Sequence, residues 1–264
     1  MLQEHTLWGL EDKEATAIKR LQAFCPEEGY YVAFSGGKDS IVVKDLVRRS
    51  GVKHDIHFSV TTVDPPELMR YVRQFHPDVE RHAPQTSMRA LIIKALVPPL
   101  KQARYCCGEL KETGGAGRVT VTGIRWQESA RRNKRQMVET CMKDSTKSFV
   151  HPIIDWSDRE VWEYIRKHAL PYCKLYDEGF KRIGCIMCPM AGPKGAKRDA
   201  ERWPQYAEMY RQACIAAWER RVALGKENAK KGKKSNFFSG EEMYEWWTSK
   251  ARKAKGEPMP TLFE

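Results

Sequence analysis

Six consecutive residues, Ser35-Gly36-Gly37-Lys38-Asp39-Ser40, stand between a short β-favouring run, Tyr30-Tyr31-Val32-Ala33-Phe34, and a helix-periodic stretch with Ile41, Val42, Leu46 and Val47. A strand, a glycine turn and a helix in that order aim successive backbone N–H groups and a helix N-terminus at one spot, which is the geometry of an anion site. The two glycines permit positive φ and close approach of a phosphate. Ser35 and Ser40 supply hydroxyl donors, and Lys38 supplies a cation. The pattern differs from the Walker loop, because no glycine stands five residues before Gly37. A serine-glycine turn that only caps a helix is the plain alternative. The full run in its strand-to-helix setting favours phosphate over that alternative.

The surroundings extend the same architecture. Further strands are predicted at 56–61, 79–83 and 119–124, with helices at 7–24, 66–75 and 87–96. Ser157 with Glu160 forms a capping box that opens a helix at 159–168. Strands alternating with helices imply an α/β fold, a three-layer arrangement around a mostly parallel twisted sheet. After Cys188 the strand signals stop. A single long helix is expected at 199–224, then a lysine-rich run at 226–234, then a last helix at 240–253. The expected division is therefore 1–198, a nucleotide-binding domain, and 199–264, a basic helical C-terminal extension. Hydrophobic residues make up 41% of the 264, enough for a sizeable core, so wholesale disorder is excluded. No apolar run reaches the roughly 18–20 residues of a membrane helix, so no membrane partner is expected. The first 14 residues hold Glu4, Glu11, Asp12 and Glu14 rather than a secretory signal, and the expectation is a cytoplasmic protein.

Eight cysteines in a reducing compartment point to metal or redox chemistry rather than a disulfide scaffold. Two tight groupings stand out, Cys106-Cys107 and Cys185-x-x-Cys188, with 77 residues between Cys107 and Cys185. Brought together by the fold, they make a four-sulfur site suited to zinc or to an iron-sulfur cluster, and ligand softness does not choose between the two. Cys25, Cys141 and Cys173 have no cysteine neighbour, and Cys214 lies in a helical setting that suits a buried structural thiol. His54, His57, His76, His82, His151 and His168 show no metal-ligand spacing. The net charge of +12 favours a polyanionic partner, either nucleotide phosphates or a nucleic acid. Arg131-Arg132-Asn133-Lys134-Arg135 and the 226–234 run are the candidate RNA or DNA contacts, with a solvated face as the alternative. Trp246-Trp247 could stack on bases, but core packing is the favoured reading.

Ser-Gly-Gly-Lys-Asp-Ser resembles the pyrophosphate loop of the adenine nucleotide alpha hydrolase superfamily. The block Thr122-Gly123-Ile124-Arg125-Trp126-Gln127-Glu128-Ser129-Ala130-Arg131-Arg132 is similar to a stretch of its phosphoadenylyl sulfate reductase branch, in which arginines face the anionic end of the nucleotide. On residue chemistry alone, Arg125 either forks onto phosphate or pairs with a carboxylate. A tandem cysteine pair followed by Cys-x-x-Cys is similar to the [4Fe–4S] signature of the iron-sulfur adenylyl sulfate reductases, and Lys111 matches a lysine near both cluster and nucleotide there. Residues 175–185 also look like that branch's approach to its second cysteine pair, so the resemblance runs from about Tyr30 to Gly192. It implies an adenine nucleotide, ATP or an adenylyl sulfate, with Mg2+ as a companion cation. The implied nucleotide-binding residues are Ser35, Gly36, Gly37, Lys38, Asp39, Ser40, Lys111, Gly123, Arg125 and Arg132. The implied cluster ligands are Cys106, Cys107, Cys185 and Cys188, with the cluster near the nucleotide. No catalytic residue is assigned. The sequence departs from the reductases in having no cysteine after Cys214, where they carry a catalytic cysteine in a C-terminal tail. An adenine-nucleotide-binding enzyme of sulfur metabolism or of sulfur transfer to a nucleic acid, the latter with precedent in the superfamily's RNA thiolation and DNA phosphorothioation, is the preferred expectation. Sulfite-forming sulfonucleotide reduction and a non-catalytic nucleotide-binding accessory are the alternatives.

Overall fold

The β-favouring run at 30–33 alternates buried and half-buried residues, and it lies at the centre of a six-stranded sheet. The computed structural model describes residues 1–6, 9–141, 145–226 and 237–249. Its chain opens with a hairpin of β1 (Gln3–Thr6) and β2 (Gly9–Asp12), followed by α1 (Lys13–Ala23). Then come β3 (Tyr30–Ala33), α2 (Lys38–Ser50), β4 (His54–Ser59), α3 (Pro66–Phe75), β5 (Glu80–His82), α4 (Met88–Ala95) and α5 (Tyr105–Leu110). The second half holds β6 (Val119–Val121), β7 (Val138–Thr140), β8 (Ser148–Val150), α6 (Asp158–Lys167), α7 (Gly192–Arg202), α8 (Pro204–Ala223) and α9 (Gly240–Thr248). The main sheet has the order β5-β4-β3-β6-β8-β7 and is parallel except for β7, which runs antiparallel to β8. Among the described residues no helix is long and apolar enough to cross a membrane.

The residues pack into two compact units, each drawn from separate stretches of chain. Unit 1 comprises Met1–Val60, Pro65–Ala83 and Thr113–Gly184; unit 2 comprises Thr61–Asp64, Pro84–Glu112 and Cys185–Glu264. Unit 1 holds the whole six-stranded sheet. Tyr30 and Val32 of β3 and Val121 of β6 are fully buried on its core side, and α1 packs on α2, which packs on α6. In unit 2, α8 packs against α4 and α9, so the helices after residue 198 share their core with the 84–112 stretch.

Three local expectations are corrected. The helix expected at 7–24 begins only at Lys13, because the Asp12 carboxylate accepts from the Glu14 and Ala15 N–H groups and caps it there, while the preceding residues pair as a hairpin. The helix expected at 199–224 is two helices. Pro204 forbids the helical conformation for Trp203, which takes φ −130° and ψ 69°, and proline then opens α8 from its first position. The sheet also gains β7 and β8, three-residue strands too short to show a period. The last helix is described as far as Thr248, and of the lysine-rich run only Lys226 lies within the described residues. Trp247 is core rather than a stacking platform: it is 1% exposed and its indole N–H donates to the Pro99 carbonyl at 2.8 Å. Cys214 is fully buried against Phe237 and Met243, and all eight cysteines are free thiols.

Candidate functional site: a pyrophosphate loop and a four-thiol group

In unit 1 the glycine turn takes the form its sequence implies. Gly36 has φ +70°, and a Cβ there would lie 2.6 Å from Leu68 Cδ1, so the left-handed conformation and the close approach of α3 each require glycine. Gly37 is the N-cap of α2, and the first intrahelical bond runs from the Ile41 N–H to the Gly37 carbonyl at 3.0 Å. The N–H groups of the turn before it have no acceptor inside the helix and face outward from its positive end. Ser40 Oγ donates to the Gly37 carbonyl at 2.8 Å and accepts from the Ser35 N–H at 3.2 Å, folding the loop tightly on itself.

One loop amide has a partner from elsewhere in the unit: the Lys38 N–H donates to the Tyr176 hydroxyl oxygen at 2.9 Å. Burial raises the Tyr176 phenol above its ordinary range, so this oxygen is neutral. The Lys38 ammonium is itself buried, 3.1 Å from Asp39 Oδ2 and 3.0 Å from Asp158 Oδ1. Burial acts to raise the Asp158 carboxyl, but Lys38 and Arg125 outweigh it and hold it below the usual carboxylate value. Gly123 follows β6, and a Cβ on it would stand 3.0 Å from the Asp39 backbone and side chain, so glycine lets this turn press against the start of α2.

Arg125 follows the second of its two sequence alternatives. It is 2% exposed, and its Nε donates to Asp39 Oδ1 at 2.7 Å, one terminal nitrogen to the Trp156 carbonyl at 3.2 Å and the other to Asp158 Oδ1 at 3.0 Å. Its guanidinium therefore positions the two carboxylates around Lys38. Arg132 pairs with Glu128 one turn away, and Arg135 pairs with Glu139 and lies over the Phe149 ring. Of the basic cluster at 131–135, Arg131 and Lys134 are exposed.

Unit 2 carries the cysteine pairs. Cys106 and Cys107 sit on α5, and Cys185 and Cys188 on the loop that leads into α7. Their sulfurs lie close enough for mutual electrostatic interaction, yet among the described residues no three of them gather within 4.8 Å. The neighbouring Cys106, together with Lys111 and Arg104, holds the Cys107 thiol below the ordinary cysteine value against the effect of burial, while Cys107 and burial push Cys106 up. Burial raises Cys188. Desolvation works against the Lys111 ammonium, but Cys185, Asp64 and Cys188 outweigh it and its pKa is raised, which marks Lys111 as the cation of the thiol group.

The Cys-x-x-Cys loop is held by contacts that the cysteine spacing does not announce. Met187 adopts φ +55°, and its N–H donates to Asp199 Oδ2 of α7 at 2.9 Å. The Ile186 N–H donates to the Val63 carbonyl at 2.8 Å, and its own carbonyl accepts from Tyr210 at 3.2 Å. Asp199 is 3% exposed, and nothing in the surrounding Lys-Arg-Asp-Ala-Glu-Arg run of the sequence marks it apart from a solvated helix face. Tyr176 and Asp158 were missed for a similar reason, since each is an ordinary surface residue type whose role appears only in the folded loop.

Comparisons with known proteins find relatives over much of the chain. Residues 29–191 match the model of the phosphoadenosine phosphosulfate reductase domain. The chain is 29% identical over 211 residues to an adenosine 5'-phosphosulfate reductase of Allochromatium vinosum, covering 74% of this chain and 81% of that protein. It is 30% identical over 219 residues to an uncharacterized protein of Methanocaldococcus jannaschii, of which it spans 44%. A phosphoadenylyl-sulfate reductase from Candida auris, solved as a phosphate complex, superposes with a TM-score of 0.50 at 20% identity, over 66% of this chain and 89% of that one.

Proposed function

The chain belongs to the phosphoadenosine phosphosulfate reductase family, and on that premise we propose that it binds the anionic end of an adenine nucleotide, ATP or an adenylyl sulfate, on the loop at Ser35–Ser40. The observation that carries this reading is the left-handed turn at Gly36, which delivers a helix N-terminus and the buried Lys38 ammonium to one point. A bound oxyanion would take the Lys38 N–H now given to Tyr176. Lys38 and Arg125 are matched by Asp39 and Asp158, so the four side chains sum to no net charge. The attraction for phosphate then rests on helix amides and on a divalent cation arriving with the nucleotide, for which Asp39 and Asp158 offer oxygen ligands.

Cys106, Cys107, Cys185 and Cys188 are proposed to hold a [4Fe–4S] cluster. Two thiolate pairs on one unit are a donor set for either a zinc ion or a cluster, and the likeness of their spacing to the family's iron-sulfur branch is what favours the cluster. Such a cluster supplies a redox-active or sulfur-binding centre, and here Lys111 would balance its charge. The fully buried Cys214 makes a poor nucleophile, which favours sulfur metabolism with an external acceptor over direct sulfonucleotide reduction. The +12 charge, with Arg131 and Lys134 exposed, supports a nucleic acid as that acceptor.

Binding of ATP and of adenylyl sulfate, each with and without Mg2+, tests the loop: Lys38→Gln leaves Asp39 and Asp158 with Arg125 as their one cation, and the unbalanced negative charge should weaken either by about 10–100-fold. Equal affinity in the variant would remove this reading. Iron and sulfide analysis of protein purified without oxygen should give about four of each, lost in Cys188→Ser and kept in Cys141→Ser; one zinc without sulfide would refute the cluster. Sulfite released from adenylyl sulfate and a thiol donor would reinstate direct reduction, and RNA or DNA binding insensitive to salt would remove the nucleic-acid acceptor.

A further inference from the structure

The spacing of the histidines along the chain gives no ligand pattern, but the register of the unit 1 sheet creates one. On β4, alternation sends Ile56 and Phe58 to the core and Asp55 and His57 to the other face. The ladder pairs His57 with Glu80 and Ser59 with His82 on the edge strand β5, so Glu80 and His82 stand on the same face. The result is a three-residue donor set: His57 Nδ1 lies 2.7 Å from His82 Nε2 and 3.4 Å from Glu80 Oε2, and His82 Nε2 lies 3.7 Å from Glu80 Oε1. Ligands at about 2.0–2.1 Å in tetrahedral array around zinc stand about 3.3 Å from each other. The three separations bracket that value.

Tautomer and orientation are fixed as a ligand requires. His57 Nε2 is hydrogen-bonded to the Asp55 carboxylate, which is gripped by the Arg118 fork at 2.5 and 2.6 Å. With its proton committed to Asp55, His57 presents the Nδ1 lone pair toward His82 and Glu80. Metal-bound histidines characteristically have this carboxylate partner on the other ring nitrogen. Tyr31, diagonal to His57 across β3 and β4, stacks on its ring at 4.1 Å and 7°, which fixes the plane of the imidazole. The inner ligand is buried, whereas the Glu80 and His82 side chains are 65% and 43% exposed, leaving an entry path from solvent.

We propose that His57, Glu80 and His82 form a binding site for a divalent transition metal of the zinc class, with His57 Nδ1, His82 Nε2 and a Glu80 carboxylate oxygen as ligands. Nitrogen and oxygen donors distinguish it from the all-sulfur group of unit 2. Three protein ligands leave a fourth position for water or for an oxyanion. Before metal arrives, one hydrogen bond links His82 Nε2 and His57 Nδ1. Binding replaces that bond, and His82 takes the tautomer with its proton on Nδ1 so that Nε2 is free to ligate.

The test uses the full chain with its thiol group already loaded, first assayed for metal and then titrated with Zn2+ by calorimetry and with Co2+ by absorption. One additional equivalent is expected, and for cobalt it should show visible ligand-field bands without added sulfur-to-cobalt charge transfer. Asp55→Asn should weaken binding by about 10–100-fold, and His82→Gln by more. Because His82 lies on an exposed edge, that variant should melt like wild type without metal and lose the rise in Tm that Zn2+ gives wild type. No uptake beyond the thiol complement would overturn the proposal, as would uptake of equal affinity in His82→Gln and His57→Gln.

Discussion

Replacing Gly36 by alanine tests whether the loop is shaped by backbone handedness and by α3 together. At φ +70° a Cβ costs roughly 1–2 kcal/mol of left-handed strain. The same atom would stand 2.6 Å from Leu68 Cδ1 and 3.1 Å from Val72 Cγ2, and overpacking of that kind costs about 1–3 kcal/mol. Alanine recovers about 0.4–1 kcal/mol by stiffening the unfolded chain, so unit 1 should lose about 1.5–4 kcal/mol. The assay is urea denaturation, read alongside amide exchange in α2 so that unit 1 is scored separately. The two costs separate in a double-mutant cycle, because Leu68→Ala removes the clash but leaves the strain. The double variant should fall short of the summed single costs by about 1–3 kcal/mol. A Gly36→Ala cost under about 0.5 kcal/mol, or additivity within that margin, would refute the reasoning.

Arg125→Gln leaves Asp39 and Asp158 to Lys38 alone. Solvent at Asp158 keeps the loss to about 2–4 kcal/mol by thermal or urea melting, and Arg125→Lys should recover little, since one ammonium cannot serve three partners. Asp199→Ala releases the Met187 N–H, and the expected outcome is lower iron or zinc retention with the sheet of unit 1 unaffected, read by metal analysis and circular dichroism. Burial, reinforced for His76 by Lys44 and for His151 by Arg135, lowers both histidines to about 4 from an ordinary 6.5. Their folded values lie below the unfolded one, so the stability they contribute is complete above pH 6.5 and is lost as pH falls through 4. The urea midpoint should therefore drop between pH 7 and pH 5, and by less in His76→Gln. Burial would raise Glu160, but Lys13 and Ser157 hold it at about 2, so its contribution is present above pH 4.5 and lost toward pH 2. Glu160→Gln should flatten that acid limb.

What the sequence disclosed follows from how local each signal is. The strand, turn and helix at 30–50 declare themselves because β propensity, glycine punctuation and helical period change within a few residues. α3 is legible because Pro66 starts it and a strongly one-sided face continues it. The hairpin before Asp12 was hidden by helix-compatible residues, and only the cap separates the two structures. β7 and β8 exist through pairing with each other and with β6, which a three-residue period cannot reveal. The same distinction holds at the candidate sites. Cysteine spacing announces the thiol group, while the partition of Arg125 between phosphate and carboxylate depends on Asp158, which arrives from 33 residues away. His57 and His82 become neighbours only through strand register.

The scattered make-up of unit 2 has a consequence for how the protein is made. Its first two stretches, with Cys106 and Cys107 on α5, leave the ribosome long before α7 and α8 exist to pack beside them. Roughly 100 residues of further synthesis separate the tandem cysteines from α8, about 5–20 s at ~5–20 residues per second. For that interval the adjacent thiols wait without their enclosing helices, open to oxidants and to stray metal ions. Slow translation or oxidising conditions would be felt first at α5, as misjoined sulfur in a chain whose unit 1 sheet is already complete.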